Sequence, residues 1–247
     1  GYLTFRDVSF YFPGAKEPAV SHVSFEAKPG ETTAIIGSTG SGKTALVGLI
    51  PRFYDVQEGE VLVDGVNVKD YDRKTLRKKI GYVPQKALLF KGTIMENIRF
   101  SDDSASDERV KEAAAIAQST DFIEDKPEGF DSFIAQGGSN VSGGQRQRLA
   151  IARAIVRKPE IYVFDDSFSA LDFKTDSALR QALARETENA TVVIVAQRVS
   201  TIMNADRIIV MDEGKVMGIG THRELLNTCE TYQEIVRSQL SEEEMSA

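Results

Sequence analysis

Apolar and polar residues alternate at period two over residues 2–8 and again over residues 20–27, the pattern of strands with one buried face. Pro13-Gly14 and Pro29-Gly30 punctuate these two stretches. Residues 32–36 are instead a continuous β-branched and apolar run, as expected of a strand covered on both sides, and residues 45–50 continue as a helix up to Pro51. Glu60-Val61-Leu62-Val63, Asp64-Gly65 and Val66-Asn67-Val68 read as a hairpin on a D-G turn. With the first two strands it predicts a small antiparallel sheet leaning on the rest.

Farther along, Ile80-Gly81-Tyr82-Val83 is a strand ending at Pro84. Residues 107–118 form an alanine-rich helix capped by Ser106 or Asp107, and 129–141 is loop-like. Residues 146–157 form a helix with Leu149, Ala152 and Val156 on one face and Ile151 and Ile155 beside it. Residues 160–166, 191–196 and 206–211 read as strands; 175–187, 222–227 and 231–239 read as helices; the acidic tail 241–247 is expected to fray. Strands alternating with helices imply an α/β core with a largely parallel sheet.

The outer limits come from composition. A chain of 247 residues buries one large core, or a core with an inserted lobe. A net charge of −7 argues against a nucleic-acid partner. The basic run Arg73, Lys74, Arg77, Lys78, Lys79 reads as a solvated helix face. A single cysteine, Cys229, excludes an internal disulfide and fits a reducing compartment. There is no secretory leader and no apolar run of about 18 residues, so a soluble intracellular domain is expected. His22 lies in a strand pattern with no partner at metal-ligand spacing and reads as a packed or surface histidine.

The chemistry concentrates in Gly37-Ser38-Thr39-Gly40-Ser41-Gly42-Lys43-Thr44, which matches the phosphate-binding loop G-x-x-x-x-G-K-[ST] between a strand and a helix. Glycines let backbone N–H groups turn onto phosphates, and the following helix aims its positive end at them. Lys43 would reach the β/γ-phosphates and Thr44 would ligand Mg²⁺. The strand 160–166 ends in Asp165 and Asp166; the first suits Mg²⁺, the second suits orienting or deprotonating the attacking water. Ser142-Gly143-Gly144-Gln145, opening a helix, is a second anion-grade helix start, suited to another subunit's ligand. Phe12 has two readings, stacking on a base or packing in a turn.

Taken together, GSTGSGKT (37–44), VPQ (83–85), VSGGQRQR (141–148), IYVFDD (161–166), SALD (169–172) and AQRVST (196–201) resemble the nucleotide-binding domain of ATP-binding-cassette (ABC) transporters over essentially the whole chain. The segment LFKGTIMENI (89–98) is similar to the exporter branch. The resemblance implies a P-loop NTPase fold with a RecA-like core, an antiparallel β subdomain, and an inserted α-helical subdomain at approximately 86–157. It implies ATP and Mg²⁺ as ligands, with Thr44, Gln85 and Asp165 at the metal and Asp166, Gln197 and Gln85 in catalytic positions. Ser38 to Thr44 hold the phosphates, and Phe12 falls where the family stacks an aromatic, usually Tyr, on adenine. It also implies head-to-tail pairing of two such domains at the cytoplasmic face of the cell membrane, attached to an exporter's transmembrane domains. There Ser142, Gly143, Gly144, Gln145 and Asp172 complete the partner's ATP site.

Three positions depart from that pattern. The usual catalytic Glu is Asp166, the usual switch His is Gln197, and Val141 replaces the signature's usual Leu. A carboxylate about 1 Å short can cost about 10²-fold, and loss of a positioned base costs roughly 10²–10⁴. Gln197 donates a hydrogen bond but carries no charge. The expectation is the degenerate half of a heterodimeric exporter, with a slow site of its own and an intact signature serving a non-identical partner. A fully active homodimeric exporter ATPase, a non-transport cassette ATPase and a purely regulatory binding module are the alternatives.

Overall fold

The structure is a computed structural model that describes the backbone of residues 1–246 and the side chains of residues 1–240. The chain opens with β1 (Leu3–Phe10), β2 (Val20–Ala27), β3 (Thr32–Gly37), α1 (Lys43–Gly48), β4 (Glu58–Val63), β5 (Val66–Asn67), α2 (Arg73–Lys78) and β6 (Ile80–Val83). A helical stretch follows, with β7 (Gly92–Thr93), α3 (Ile94–Arg99), α4 (Asp107–Ile116), α5 (Thr120–Glu124), β8 (Phe133–Ile134) and α6 (Gly143–Val156). It ends with β9 (Ile161–Asp165), α7 (Phe173–Glu186), β10 (Thr191–Val195), α8 (Val199–Ile202), β11 (Arg207–Asp212), β12 (Lys215–Gly220), α9 (His222–Thr228) and α10 (Glu230–Ser246).

The central sheet has the order β12-β11-β3-β10-β9-β6. Its strands pair in parallel except β12, which is antiparallel to β11. Burial on both faces explains the unbroken apolar runs 34–36 and 161–164 within β3 and β9. One face, carrying Ile35, Val163 and Val193, packs on α1 and on the antiparallel sheet β2-β1-β4-β5. The other carries Tyr162 and Phe164 against Leu149 and Ile155 of α6 and Leu179 and Leu183 of α7. A third cluster joins Ala34, Ile36 and Val210 to Ile202, Leu225 and Tyr232. The expected α/β architecture with an antiparallel sheet and a helical stretch is therefore present.

Several local expectations need correction. The alternation of β1 does not run through: register shifts around Asp7, whose φ is 48°, bring Val8, Ser9 and Phe10 all inside. The same pairing sets His22 Nδ1 2.8 Å from Asp7 Oδ1, so the exposed His22 does have a carboxylate partner, 15 residues away in sequence. Helix α1 ends at Gly48 rather than Ile50, and α6 begins at Gly143 rather than Arg146. Ser106 is the cap of α4, accepting from Arg109 N at 3.1 Å. Lys79 is not simply solvated, since its Nζ meets Glu160 at 2.9 Å and Asp64 at 3.4 Å. Arg77 donates to the carbonyls of Pro51 and Arg52. The stretch 129–141 carries β8. Helix α10 runs to Ser246; Ala247 and the side chains of 241–246, on which the expected fraying falls, lie outside the described residues. No helix among the described residues is long and apolar enough to cross a membrane.

Candidate functional site

The carboxyl ends of β3, β9 and β10 open onto a cleft of about 710 Å³, where a parallel sheet presents ligands to the helix that follows. From β3 the chain turns through 38–42 into α1. Gly37 has to lack a side chain, because a Cβ there would sit 2.3 Å from Met211 O of β11. Gly42 caps α1 at φ 99°, with Ala19 O 2.3 Å from where a Cβ would be. No side chain caps α1, so its first-turn N–H groups remain for a ligand. Lys43 is buried, and its ammonium donates to Gly37 O and, at 3.0 Å, to Ser38 O. Burial pulls its pKa down, opposed by the nearby Asp166 and Asp165.

Thr39, Gly40, Ser41, Gly42, Lys43 and Thr44 all line the cleft; Ser38 does not, and contributes its carbonyl to Lys43. The Ser41 hydroxyl is buried with no hydrogen-bond partner among the described residues, a polar atom left over in a loop built for anions. At the mouth, Phe12 meets Tyr54 edge-on at 5.4 Å and Phe10 at 5.0 Å. Both Phe12 and Tyr54 are about 40 % exposed toward the cleft, a surface suited to a flat aromatic ligand.

Asp165 ends β9 and is 2 % exposed. Its Oδ1 lies 3.4 Å from Thr44 Oγ1. Octahedral Mg²⁺ holds oxygens at about 2.1 Å, so neighbouring ligands stand roughly 3 Å apart; this pair fits with a small closing movement. Burial raises the Asp165 pKa, Asp166 adds to the rise, and Thr44, Lys43 and Tyr82 oppose it. Asp166 turns into the cleft with φ 50°, its N–H donating to Val195 O at 2.8 Å. Gln85 Nε2 approaches Asp166 Oδ2 at 3.4 Å. Burial raises the Asp166 pKa too, against Lys43, Gln85 and Arg198. Gln197, just past β10, lines the same cleft.

Ser142, Gly143, Gly144, Gln145 and Asp172 are not among the residues that line it. Ser142 caps α6 in a reciprocal box: its Oγ accepts from Gln145 N, and Gln145 Oε1 accepts from Ser142 N, each at 3.1 Å. The donors left at this helix start are therefore those of Gly143 and Gly144. Asp172 caps α7, accepting from Thr175 N at 2.8 Å and Thr175 Oγ1 at 2.9 Å. Sequence reasoning missed Tyr54 and the β11–β12 turn 213–215, which also line the cleft. The turn's Gly214 N donates to Ser41 O at 2.9 Å, bracing the loop from outside. It also missed Gln147, whose Oε1 accepts from Ala170 N at 3.0 Å and ties α6 to the segment after Asp166.

Comparison with known proteins agrees with this geometry. A family model described as ABC transporter matches residues 20–169. An uncharacterized ABC transporter ATP-binding protein of Mycobacterium tuberculosis (strain ATCC 25618 / H37Rv) is 47 % identical over 242 residues, covering 97 % of this chain and 41 % of that protein. An ATP-dependent lipid A-core flippase of Haemophilus influenzae (strain 86-028NP) is 42 % identical over 242 residues, covering 98 % and 41 %. The structure of a bacterial Atm1-family ABC exporter with ATP bound superposes with a TM-score of 0.93 at 36 % identity, covering 96 % of this chain and 42 % of that one. The chain thus spans about two fifths of the length of these relatives. A strand-to-helix phosphate loop facing two strand-end carboxylates, on this sheet and with these relatives, makes the chain a member of the ABC transporter family, a nucleotide-binding domain of the P-loop NTPase fold related to exporter ATP-binding proteins.

Proposed function

We propose that this chain binds Mg-ATP in the cleft between Phe12 and Gln197 and hydrolyses it slowly, while its Ser142–Gly144 helix start completes the site of a second, non-identical cassette. The pair would sit at the cytoplasmic face of the cell membrane and drive export through attached transmembrane domains; that similar proteins are named as a flippase and an exporter supports the export part of this reading. The whole of 1–247 would act as one nucleotide-binding domain, with its helical subdomain at approximately 86–157.

The observation that carries the reading is the division of groups between two places. Lys43, Thr44, Gln85, Asp165, Asp166 and Gln197 share one cleft, while Gly143 and Gly144 offer their N–H groups elsewhere. Within the cleft, Phe12 and Tyr54 would flank the base and Lys43 would leave its two carbonyl acceptors for phosphate oxygens. Thr44 and Asp165 would hold Mg²⁺, with Gln85 beside them. Such an ion spreads the charge of the β- and γ-phosphates. Asp166 would take the water's proton, and Gln197 would donate to the γ-phosphate. The short Asp166 side chain and the uncharged Gln197 support slow turnover.

The purified chain tests this by titration calorimetry and phosphate release. Wild type is expected to bind Mg-ATP, with Lys43→Ala weakening it by roughly 1.5–3 kcal/mol, as for a charge-assisted contact. Equal affinity in the two would remove the site from this cleft. Brisk hydrolysis by the partner-free wild type would end the slow-site reading.

A further inference from the structure

We infer that Gln239, on the last helix, is a positioning residue for the nucleotide cleft, setting the backbone from which Gln197 reaches it. The inference rests on the reading above that Gln197 contacts the γ-phosphate.

Between β10 and α8, Ala196 N donates to Ile35 O and Arg198 O accepts from Thr201 N, each at 3.2 Å, but the helix start lacks a local side-chain cap. Arg198 occupies the N-cap of α8 and makes no side-chain capping bond. The missing cap comes from 40 residues away: Gln239 Oε1 accepts from Val199 N at 2.8 Å. The same amide's Nε2 donates to Gln197 O at 2.6 Å. One planar group thus holds the peptide units on both sides of Arg198. An amide, with a donor and an acceptor at fixed separation, can make both bonds at once; a carboxylate or a hydrocarbon cannot.

Gln239 is itself held. Tyr232, Ile235 and Val236 precede it at helical spacing and pack in the cluster containing Val199, Ile202, Ile208 and Val210. Tyr232 is fully buried, and its hydroxyl lies 2.6 Å from His222 Nδ1. The helix is therefore anchored through its first turns, and Gln239 arrives at residues 197–199 one turn later. Gln197 lines the cleft, so whatever fixes its backbone carbonyl also fixes where its side chain starts.

Two variants of the full chain separate positioning from bulk stability. Gln239→Ala removes both bonds. Gln239→Glu keeps the acceptor for Val199 N–H but sets an oxygen against Gln197 O. Gln233→Ala is the control: it breaks a 2.7 Å bond from α10 to Leu226 O, a partner outside 197–199. Two readouts are taken, amide hydrogen exchange of 196–202 in the nucleotide-free chain and the ratio of ATP to ADP affinity. Both Gln239 variants are expected to exchange about fivefold faster and to lose about fivefold in the ATP/ADP ratio, with ADP affinity unchanged. Gln233→Ala is expected to move neither. Wild-type exchange or a wild-type ratio in Gln239→Ala overturns the inference. A ratio lost in Gln197→Ala but kept in both Gln239 variants overturns the inference alone. A ratio unchanged in Gln197→Ala overturns the γ-phosphate reading, and the inference with it.

Discussion

The Thr44 hydroxyl and the Asp165 carboxylate stand 3.4 Å apart, oxygen to oxygen, although 121 residues separate them in the chain. Parallel pairing sets this distance: β10 lies between β3 and β9, so the strand leading into the phosphate loop and the strand ending at Asp165 finish at the same end of the sheet. Asp165 is 2 % exposed, and burial disfavours its charge. A carboxylate kept ionised at such a place gains from a cation.

Asp165→Asn is accordingly expected to weaken metal binding far more than nucleotide binding. Removing one charged ligand from a hard divalent ion should cost at least about tenfold in affinity. Mn²⁺ titrated into the ATP-loaded chain and followed by electron paramagnetic resonance reads this directly. Metal-free ATP binding is expected to change little, because Lys43 and the loop N–H groups remain. A variant that binds Mn²⁺ like wild type would take Asp165 out of the metal site.

On the proposed roles, Asp166 and Gln197 would act on one transition state, and their repair should then be cooperative. Asp166→Glu lengthens the side chain that approaches Gln85 Nε2 at 3.4 Å, and Gln197→His restores a group able to carry charge. The double variant is expected to raise phosphate release above either single change by more than their product, as groups acting as a unit do. Strictly multiplicative effects would show that the two positions work independently.

How far the sequence was legible follows from the range of each interaction. The phosphate loop and the Asp165-Asp166 strand end could be read because their geometry is local, a strand, a turn and a helix start in succession. The start of α6 was placed three residues late, since two glycines read as loop on propensity. The Ser-x-x-Gln spacing of Ser142 and Gln145 is a capping-box signal that would have corrected it. Tyr54 and the 213–215 turn reach the cleft, and Gln239 reaches the backbone of Gln197, only through tertiary packing, and no spacing rule announces them. The bulge at Asp7 was hidden similarly, because alternation looks intact until the partner strand is known.

Asp172 gives a pH test that is independent of nucleotide. The Thr175 backbone N–H, then its hydroxyl, favour the charged carboxylate and hold its pKa below the usual 3.8. A depressed folded value means the unfolded chain binds the proton more readily. The stabilisation is therefore complete above the unfolded pKa and is lost as pH falls through the folded one. Asp172→Asn keeps a capping oxygen but not the charge. Wild type is expected to be the more stable at pH 7, with the gap closing below about pH 3.8. Urea unfolding at a series of pH values measures it; a gap that stays constant with pH would mean the charge contributes nothing to the cap.

The last test concerns the start of α6, whose residues do not line the chain's own cleft. With Ser142 and Gln145 satisfying each other, the free donors of α6 are the N–H groups of Gly143 and Gly144, at the positive end of a fourteen-residue helix. Such donors suit the charge developing on a transferring phosphoryl group, and removing one typically costs about 10²–10³ in rate. A transporter reconstituted from this chain and the proposed non-identical partner should lose nearly all ATP hydrolysis with Gly143→Asp, and little with Asp166→Asn. Misfolding is a poor alternative explanation for the first variant. A Cβ at position 143 would meet only Ala170 Cβ, at 3.7 Å, and Arg146, at 3.9 Å, both ordinary contacts. An acidic residue in the first turn also favours the helix itself. The chain should therefore fold at least as well, while its new carboxylate repels the partner's γ-phosphate. If Asp166→Asn is the more damaging change, this cassette hydrolyses its own ATP, and the asymmetric reading falls.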